Sequence, residues 1–213
     1  MPGSLKGQCI PLIEQESKRS FKKDFDVCYL PDFVALGNVL HDFTHPDLVV
    51  IGESSKKAGD IVARIHKGIC ANNPPFHRMS LASAEIAKVS LNAYITMKIS
   101  FANVIGNICE KVEDTDPDAI TKALGCDKRI SPYYFKAGLA FGGTCFPRDT
   151  WAFTALLRSL GYTTSLMDSC NAINHYQDTL LFTKTMALVR AQGLDRVSVL
   201  GLAFDHAHSS LTG

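Results

Sequence analysis

The 33 residues from Ser80 to Val112 contain no proline and a single glycine, Gly106. Apolar residues recur through them at helical intervals: Leu81, Ala84, Ile86, Val89, Ala93, Met97, Phe101, Val104 and Ile108. That spacing predicts one continuous helix. At ~1.5 Å per residue it would run roughly 50 Å, far beyond the ordinary ~11–12 residues. A helix of this length serves as the spine of a domain or of a subunit interface. The next helix opens at Asp116-Pro117, a capping residue followed by proline at the first helical position, and ends near Gly125. Two more are expected, Arg148 to Leu160 closed by Gly161, and Ser165 to Gln192 closed by Gly193.

Upstream, the pattern alternates between strands and helices. Asp26 to Leu30 is a β-prone run stopped by Pro31, and Leu48 to Ile51 is a second, closed by Gly52. A short helix is expected between Phe33 and Phe43. Lys56 to Cys70 carries apolar residues at helical spacing (Ala58, Ile61, Val62, Ile65, Ile69). Asn72-Asn73-Pro74-Pro75 then breaks the chain, and a domain boundary is placed near it. At the far end, Arg196 to Gly201 reads as a buried strand, followed by a polar tail. The expected fold is mainly α, built on the long helix, with α/β portions at both ends.

Composition narrows the function classes. With 46% apolar and 20% charged residues the chain is that of a globular protein, and a net charge of +1 points to neither nucleic acid nor an anionic membrane. The basic stretch Lys18-Arg19 to Lys22-Lys23 is followed at once by Asp24 and Asp26, so a solvated loop is the better reading than a binding patch. Seven scattered cysteines without a Cys-x-x-Cys pair fit free thiols in a reducing cytoplasm rather than a zinc ribbon or a disulfide framework. The longest uncharged run in the apolar middle, Ile99 to Cys109, is too short to span a membrane. His206 and His208 have no evident third ligand, and no metal is expected.

Three places can carry chemistry. In Phe141-Gly-Gly-Thr-Cys-Phe-Pro-Arg-Asp149, two glycines allow unusual backbone angles and close approach of a ligand. Pro147 is suited to open a helix, which places Cys145 just ahead of a helix N-terminus where a thiolate is favoured. Asp149, one turn on, can hold or activate a water. The same cysteine could instead be buried and structural beside a glycine turn. Glu85, Lys88 and Asn92 share one face of the long helix. Either Lys88 and Asn92 are donors for an oxygen gaining negative charge, or the three form a solvent-facing stripe with a Glu85–Lys88 pair. Asp32, after Pro31 at a strand end, is an active-site loop residue or simply a turn residue.

Taken in order, these segments resemble the UDP-glucose/GDP-mannose dehydrogenase family. The resemblance runs from about Pro2 to Phe204. It rests on Pro31-Asp-Phe33 with Gly37, Asp42-Phe43 with Pro46, and Ile51-Gly-Glu53. It continues through Ser83-Ala-Glu-Ile-Ala-Lys88 with Asn92-Ala93, Lys98-Ile-Ser-Phe-Ala-Asn103 and Asp127-Lys-Arg-Ile130. The Gly142-Gly-Thr-Cys-Phe-Pro-Arg-Asp149 loop is the most specific of them.

The resemblance implies oxidation of the C6 hydroxymethyl group of a nucleotide sugar, a UDP-sugar first, to a carboxylate with NAD. In it Cys145 is the nucleophile that forms a thiohemiacetal and then a thioester. Lys88 and Asn92 steady the oxyanion and a water, and Asp149 assists proton transfer. Asp32 stands where the family usually has glutamate. The residues implied to bind substrate are Phe33, Arg129 (reaching a partner's site in a dimer), Tyr134, Phe135, Lys136, Gly138 and Gly142. The implied division is residues 1–75 as the end of the NAD-binding α/β domain, 76–193 as a central helical substrate and dimerisation domain, and 194–213 as the start of a UDP-binding domain. The sequence has no Gly-x-Gly-x-x-Gly fingerprint, so little activity of this chain alone is expected. The rival expectations are a non-catalytic dimerisation module, or a fragment assembling with a full-length relative, and more remotely a Cys145 thiol esterase.

Overall fold

In the computed structural model, residues 2–34 and 37–200 are described. They form two compact units, one up to Val89 and one from Ser90. Helix predominates, with one three-stranded sheet.

The first unit opens with a π-helical turn, Leu5–Cys9, that continues into α1 (Ile10–Ser17). Its sheet has the order β1 (Cys28–Tyr29), β2 (Val49–Glu53), β3 (Phe76–Ser80). β1 is antiparallel to β2, with Tyr29 opposite Gly52, and β2 is parallel to β3, with Ile51 opposite Arg78. The crossover between the parallel strands is α3 (Lys56–Ile69), started by Ser55, whose hydroxyl accepts the Ala58 N–H.

The second strand, expected to close at Gly52, runs through it to Glu53. The glycine answers to packing. A methyl group there would lie 2.7 Å from the Ala84 Cβ and 3.2 Å from the Leu81 Cα, on the first turns of α4 (Leu81–Cys109). Sequence reading also gave no strand to Phe76–Ser80, because Phe-His-Arg-Met-Ser lacks an apolar alternation; its place comes from pairing with β2.

The helix expected from Phe33 is confined to α2 (Val39–Thr44). Gly37 adopts φ +97°, a left-handed angle that ends any helix coming from Phe33, and residues 35 and 36 lie outside the described set.

The long helix is present as α4, 29 residues with no internal break. Its apolar residues divide by face: Leu81, Ala84, Val89 and Ala93 are buried, while Ile86, Phe101 and Ile108 are exposed. Against its later turns the second unit assembles α5 (Pro117–Gly125), α6 (Cys145–Ser159) and α7 (Ser165–Ala191). Asp116 caps α5 by accepting the Asp118 N–H. Ala93, Met97, Phe153, Leu157, Met167 and Cys170 form the apolar centre of this unit. Polar pairs extend it, with Thr96 Oγ1 3.1 Å from Thr150 Oγ1. Residues 196–200, expected as a strand, carry no regular structure, and Val199 and Leu200 are exposed. No strand among the described residues pairs with them. His206, His208 and the remainder of the tail lie outside the described residues.

Candidate active site

Each unit holds part of the residue set singled out above. In the first, Lys88 Nζ donates to the Asp32 carbonyl oxygen at 2.6 Å and lies 5.0 Å from the centre of the Phe33 ring. The lysine therefore holds the main chain of the Pro31–Phe33 loop through a charged hydrogen bond and a cation–π contact. Asp32 itself is exposed. Glu85 is only 7% exposed and accepts the Gly3 N–H at 2.8 Å and the Leu5 N–H at 3.0 Å. The solvent-facing stripe considered for Glu85, Lys88 and Asn92 is thereby overturned: Glu85 and Asn92 are buried, and Glu85 binds backbone instead of Lys88.

In the second unit, Cys145 is the first residue of α6, three residues before the expected start at Arg148. Pro147 accordingly sits at the third helical position. Its missing N–H costs nothing in the first turn, where backbone donors have no intrahelical acceptor. The Cys145 thiol is half-buried, with Sγ 3.7 Å from Thr144 Oγ1. One turn on, Asp149 is 4% exposed and each carboxylate oxygen accepts one bond: Asn92 Nδ2 donates to Oδ2 at 2.6 Å, and Arg148 Nε donates to Oδ1 at 2.8 Å. Burying a carboxylate carries a desolvation cost that such hydrogen bonds offset. The second unit thus joins a thiol and a positioned carboxylate on the first two turns of one helix. That combination suits covalent chemistry at a carbonyl carbon.

The loop between α5 and α6 carries the other candidates. Arg129 is exposed and pairs locally with Asp127, an interaction that raises the guanidinium pKa and lowers that of the carboxyl. Tyr134 is exposed at φ +57° and meets the Phe146 ring edge-on. Phe135 is buried and stacks on Phe101 at 6.2 Å, so it supports the loop from within. Lys136 faces Asp118 at 3.3 Å. Gly138 and Gly142 border open space: a methyl group on either meets no atom within 4 Å. Gly143 takes φ +76° and is required for the turn into α6.

Three residues that fix this loop escaped sequence reading as functional. Lys98 Nζ donates to the carbonyls of Ile130 (3.0 Å), Ser131 (3.1 Å) and Tyr133 (2.6 Å), and burial lowers its pKa. Asn103 accepts the Gly138 N–H at 2.8 Å and donates to Leu139 O. Asn174 does the same for the N–H and C=O of Phe141. The available signal was the motif Lys98-Ile-Ser-Phe-Ala-Asn103, whose ends bracket one and a half helical turns. All seven cysteines are free thiols, and no helix among the described residues is long and apolar enough to cross a membrane.

Residues 1–70 match the NAD binding domain of the UDP-glucose/GDP-mannose dehydrogenase family, and residues 82–176 match that family's central domain. The chain is 35% identical over 202 residues to the UDP-glucose 6-dehydrogenase TuaD of Bacillus subtilis, covering 93% of this chain and 42% of that protein. It is 33% identical over 206 residues to a GDP-mannose 6-dehydrogenase of Pseudomonas putida, covering 96% and 45%. Its structure is similar to that of a UDP-glucose dehydrogenase from Pyrobaculum islandicum. The TM-score is 0.75 with 34% identity, over 82% of this chain and 39% of that one. The chain therefore spans less than half the length of the relatives it matches.

NAD is the cofactor this family's first domain serves. In the first unit the N–H groups at the start of the leading helical segment are taken by Glu85, and the start of α3 is capped by Ser55. Helix starts of this kind receive a pyrophosphate when their donors are open to it. These residues fit the supporting part of a dinucleotide fold and not its phosphate cradle. With both domain matches and the shared fold in hand, the chain belongs to the UDP-glucose/GDP-mannose dehydrogenase family.

Proposed function

We propose that this chain carries the central part of a nucleotide-sugar 6-dehydrogenase that acts on a UDP-sugar, with Cys145 as the covalent nucleophile. The observation that carries the reading is the placement of Cys145 at the start of α6, one turn ahead of the buried Asp149 that Asn92 holds. NAD, when bound, supplies the hydride acceptor for both oxidations. On the protein side, the Cys145 sulfur adds to C6 of the aldehyde, and the aldehyde oxygen takes a proton to give a thiohemiacetal. After its oxidation, a water attacks C6 of the thioester and the C–S bond breaks, which frees the Cys145 thiolate on the protein and releases the sugar carboxylate. Asp149 is the base that places this water and accepts its proton, and Asn92 fixes the carboxylate for that task. Lys88 donates to the oxygen that gains charge. Asp32 is the general base of the first oxidation, one methylene shorter than the family's glutamate. Phe33, Arg129, Tyr134, Phe135, Lys136, Gly138 and Gly142 form or support the substrate contacts. In this reading residues 1–75, 76–193 and 194–213 belong to the NAD-binding, central and UDP-binding domains.

A homodimer along α4 is part of the same proposal. It is supported by exposed Tyr94, Phe101 and Ile108, spaced by seven residues on one stripe. The same stripe favours the rival reading of a dimerisation module without nucleotide-sugar binding.

The deciding measurement is the alkylation rate of Cys145 by iodoacetamide, with and without the 6-aldehyde of UDP-glucose. Protection of Cys145 by the aldehyde, competed by UDP-glucose and not by glucose, is expected and needs no NAD. Equal alkylation in both samples would sink the covalent assignment and leave the module. With UDP-glucose and NAD, this chain alone is expected to give no absorbance rise at 340 nm beyond that of Cys145→Ala.

A further inference from the structure

We propose that Lys98 is a positioning residue whose charge sets the shape of the 130–142 loop. This rests, for its functional consequence, on the nucleotide-sugar reading above. Three carbonyl oxygens, those of Ile130, Ser131 and Tyr133, converge on a single Nζ at 3.0, 3.1 and 2.6 Å. Carbonyl dipoles gathered at one point repel one another, and an ammonium group, with three diverging N–H bonds, can answer all of them at once. No carboxylate ion-pairs with Lys98 among the described residues. Nζ also lies over the Phe135 ring, 5.9 Å from its centre. The charge is thus committed to the loop's main chain.

The packing beneath the loop agrees. A methyl group on Gly125 would lie 2.9 Å from Pro132 Cα, and one on Gly106 would lie 2.8 Å from Ala137 Cβ. The loop is sunk onto two glycines at its base and fixed by Lys98 on one side and Asn103 on the other. On its open side stand Gly138 and Gly142, which nothing in the fold requires to be glycine. A segment held this firmly from below, with bare backbone above, is preorganised to receive a ligand against its main chain. Lys98 touches no reacting atom in this arrangement; it acts by presenting Tyr134 and the Gly138 and Gly142 backbone in one conformation.

The test compares wild type, Lys98→Met and Lys98→Arg by amide hydrogen exchange and by calorimetric titration with UDP-glucose. Methionine keeps an unbranched apolar stem, one atom shorter, and removes the charge. Arginine restores the charge but not the tetrahedral fan of donors, and gives partial rescue. Exchange across residues 131–142 is expected to rise about tenfold or more in Lys98→Met, with α6 and α7 unchanged, and UDP-glucose affinity to fall by a similar factor. Unchanged exchange in the loop would overturn the proposal. So would loosening of α4, α6 and α7 together with the loop, because the lysine would then be holding the whole unit. Loop-selective loss in a protein whose wild type shows no UDP-glucose binding would uphold the role of Lys98 and remove the nucleotide-sugar reading instead.

Discussion

The β2–α3–β3 crossover and the 130–142 loop both depend on glycine, for opposite reasons. In the crossover, glycine is demanded from inside. Gly52 lets the first turns of α4 reach the sheet, and a methyl group on Gly59 would collide with the Glu53 carboxylate where it pairs with Arg78. Around the loop, Gly106 and Gly125 serve the same end beneath it, whereas Gly138 and Gly142 face outward with nothing against them. The first kind of glycine is explained by the fold. The second kind is not demanded by packing, and in this loop it leaves the main chain without a side chain to cover it.

Three substitutions can break this comparison, in descending order of expected effect. Gly52→Ala pushes a methyl group into Ala84 Cβ and the Leu81 backbone, neither of which can rotate away. It should lower stability by about 2–3 kcal/mol in urea unfolding followed by circular dichroism. Gly106→Ala meets Ala137 Cβ at 2.8 Å, but the strain is offset by the ~1 kcal/mol that alanine gains over glycine within a helix. A net loss of about 1 kcal/mol is expected. Gly138→Ala should change the unfolding free energy by no more than about 0.5 kcal/mol, while weakening UDP-glucose binding measured by calorimetry. Should Gly138→Ala destabilise as much as Gly52→Ala, the division between inward and outward glycines would be wrong. A stable Gly138→Ala protein that binds UDP-glucose as wild type does would instead detach the loop from substrate recognition.

Much of the architecture was legible because it rests on local signals. α4 is an uninterrupted apolar pattern, α5 has its Asp116-Pro117 start, and α3 has Ser55 before an amphipathic run. What was not legible depends on partners distant in sequence. Phe76–Ser80 becomes a strand only because β2 is beside it. Gly52 looks like a stop until the helix it accommodates is known. Cys145 and Asp149 could be singled out from their loop, yet the burial of Asp149 against Asn92, 57 residues away, has no trace in either local pattern. Lys98 is the sharpest case. A lysine on a helix reads as a solvated charge, and only the fold brings three carbonyls to it.

The Glu85 carboxylate has a consequence for synthesis. It accepts from Gly3 and Leu5, 82 and 80 residues earlier in the chain. The leading helical segment therefore leaves the ribosome long before the group that fastens it exists. At about 5–20 residues per second this interval is roughly 4–16 seconds, far longer than a helix takes to form or melt. During that time α1, with Leu12 and Ile13 on its surface even in the finished fold, has no anchor from α4.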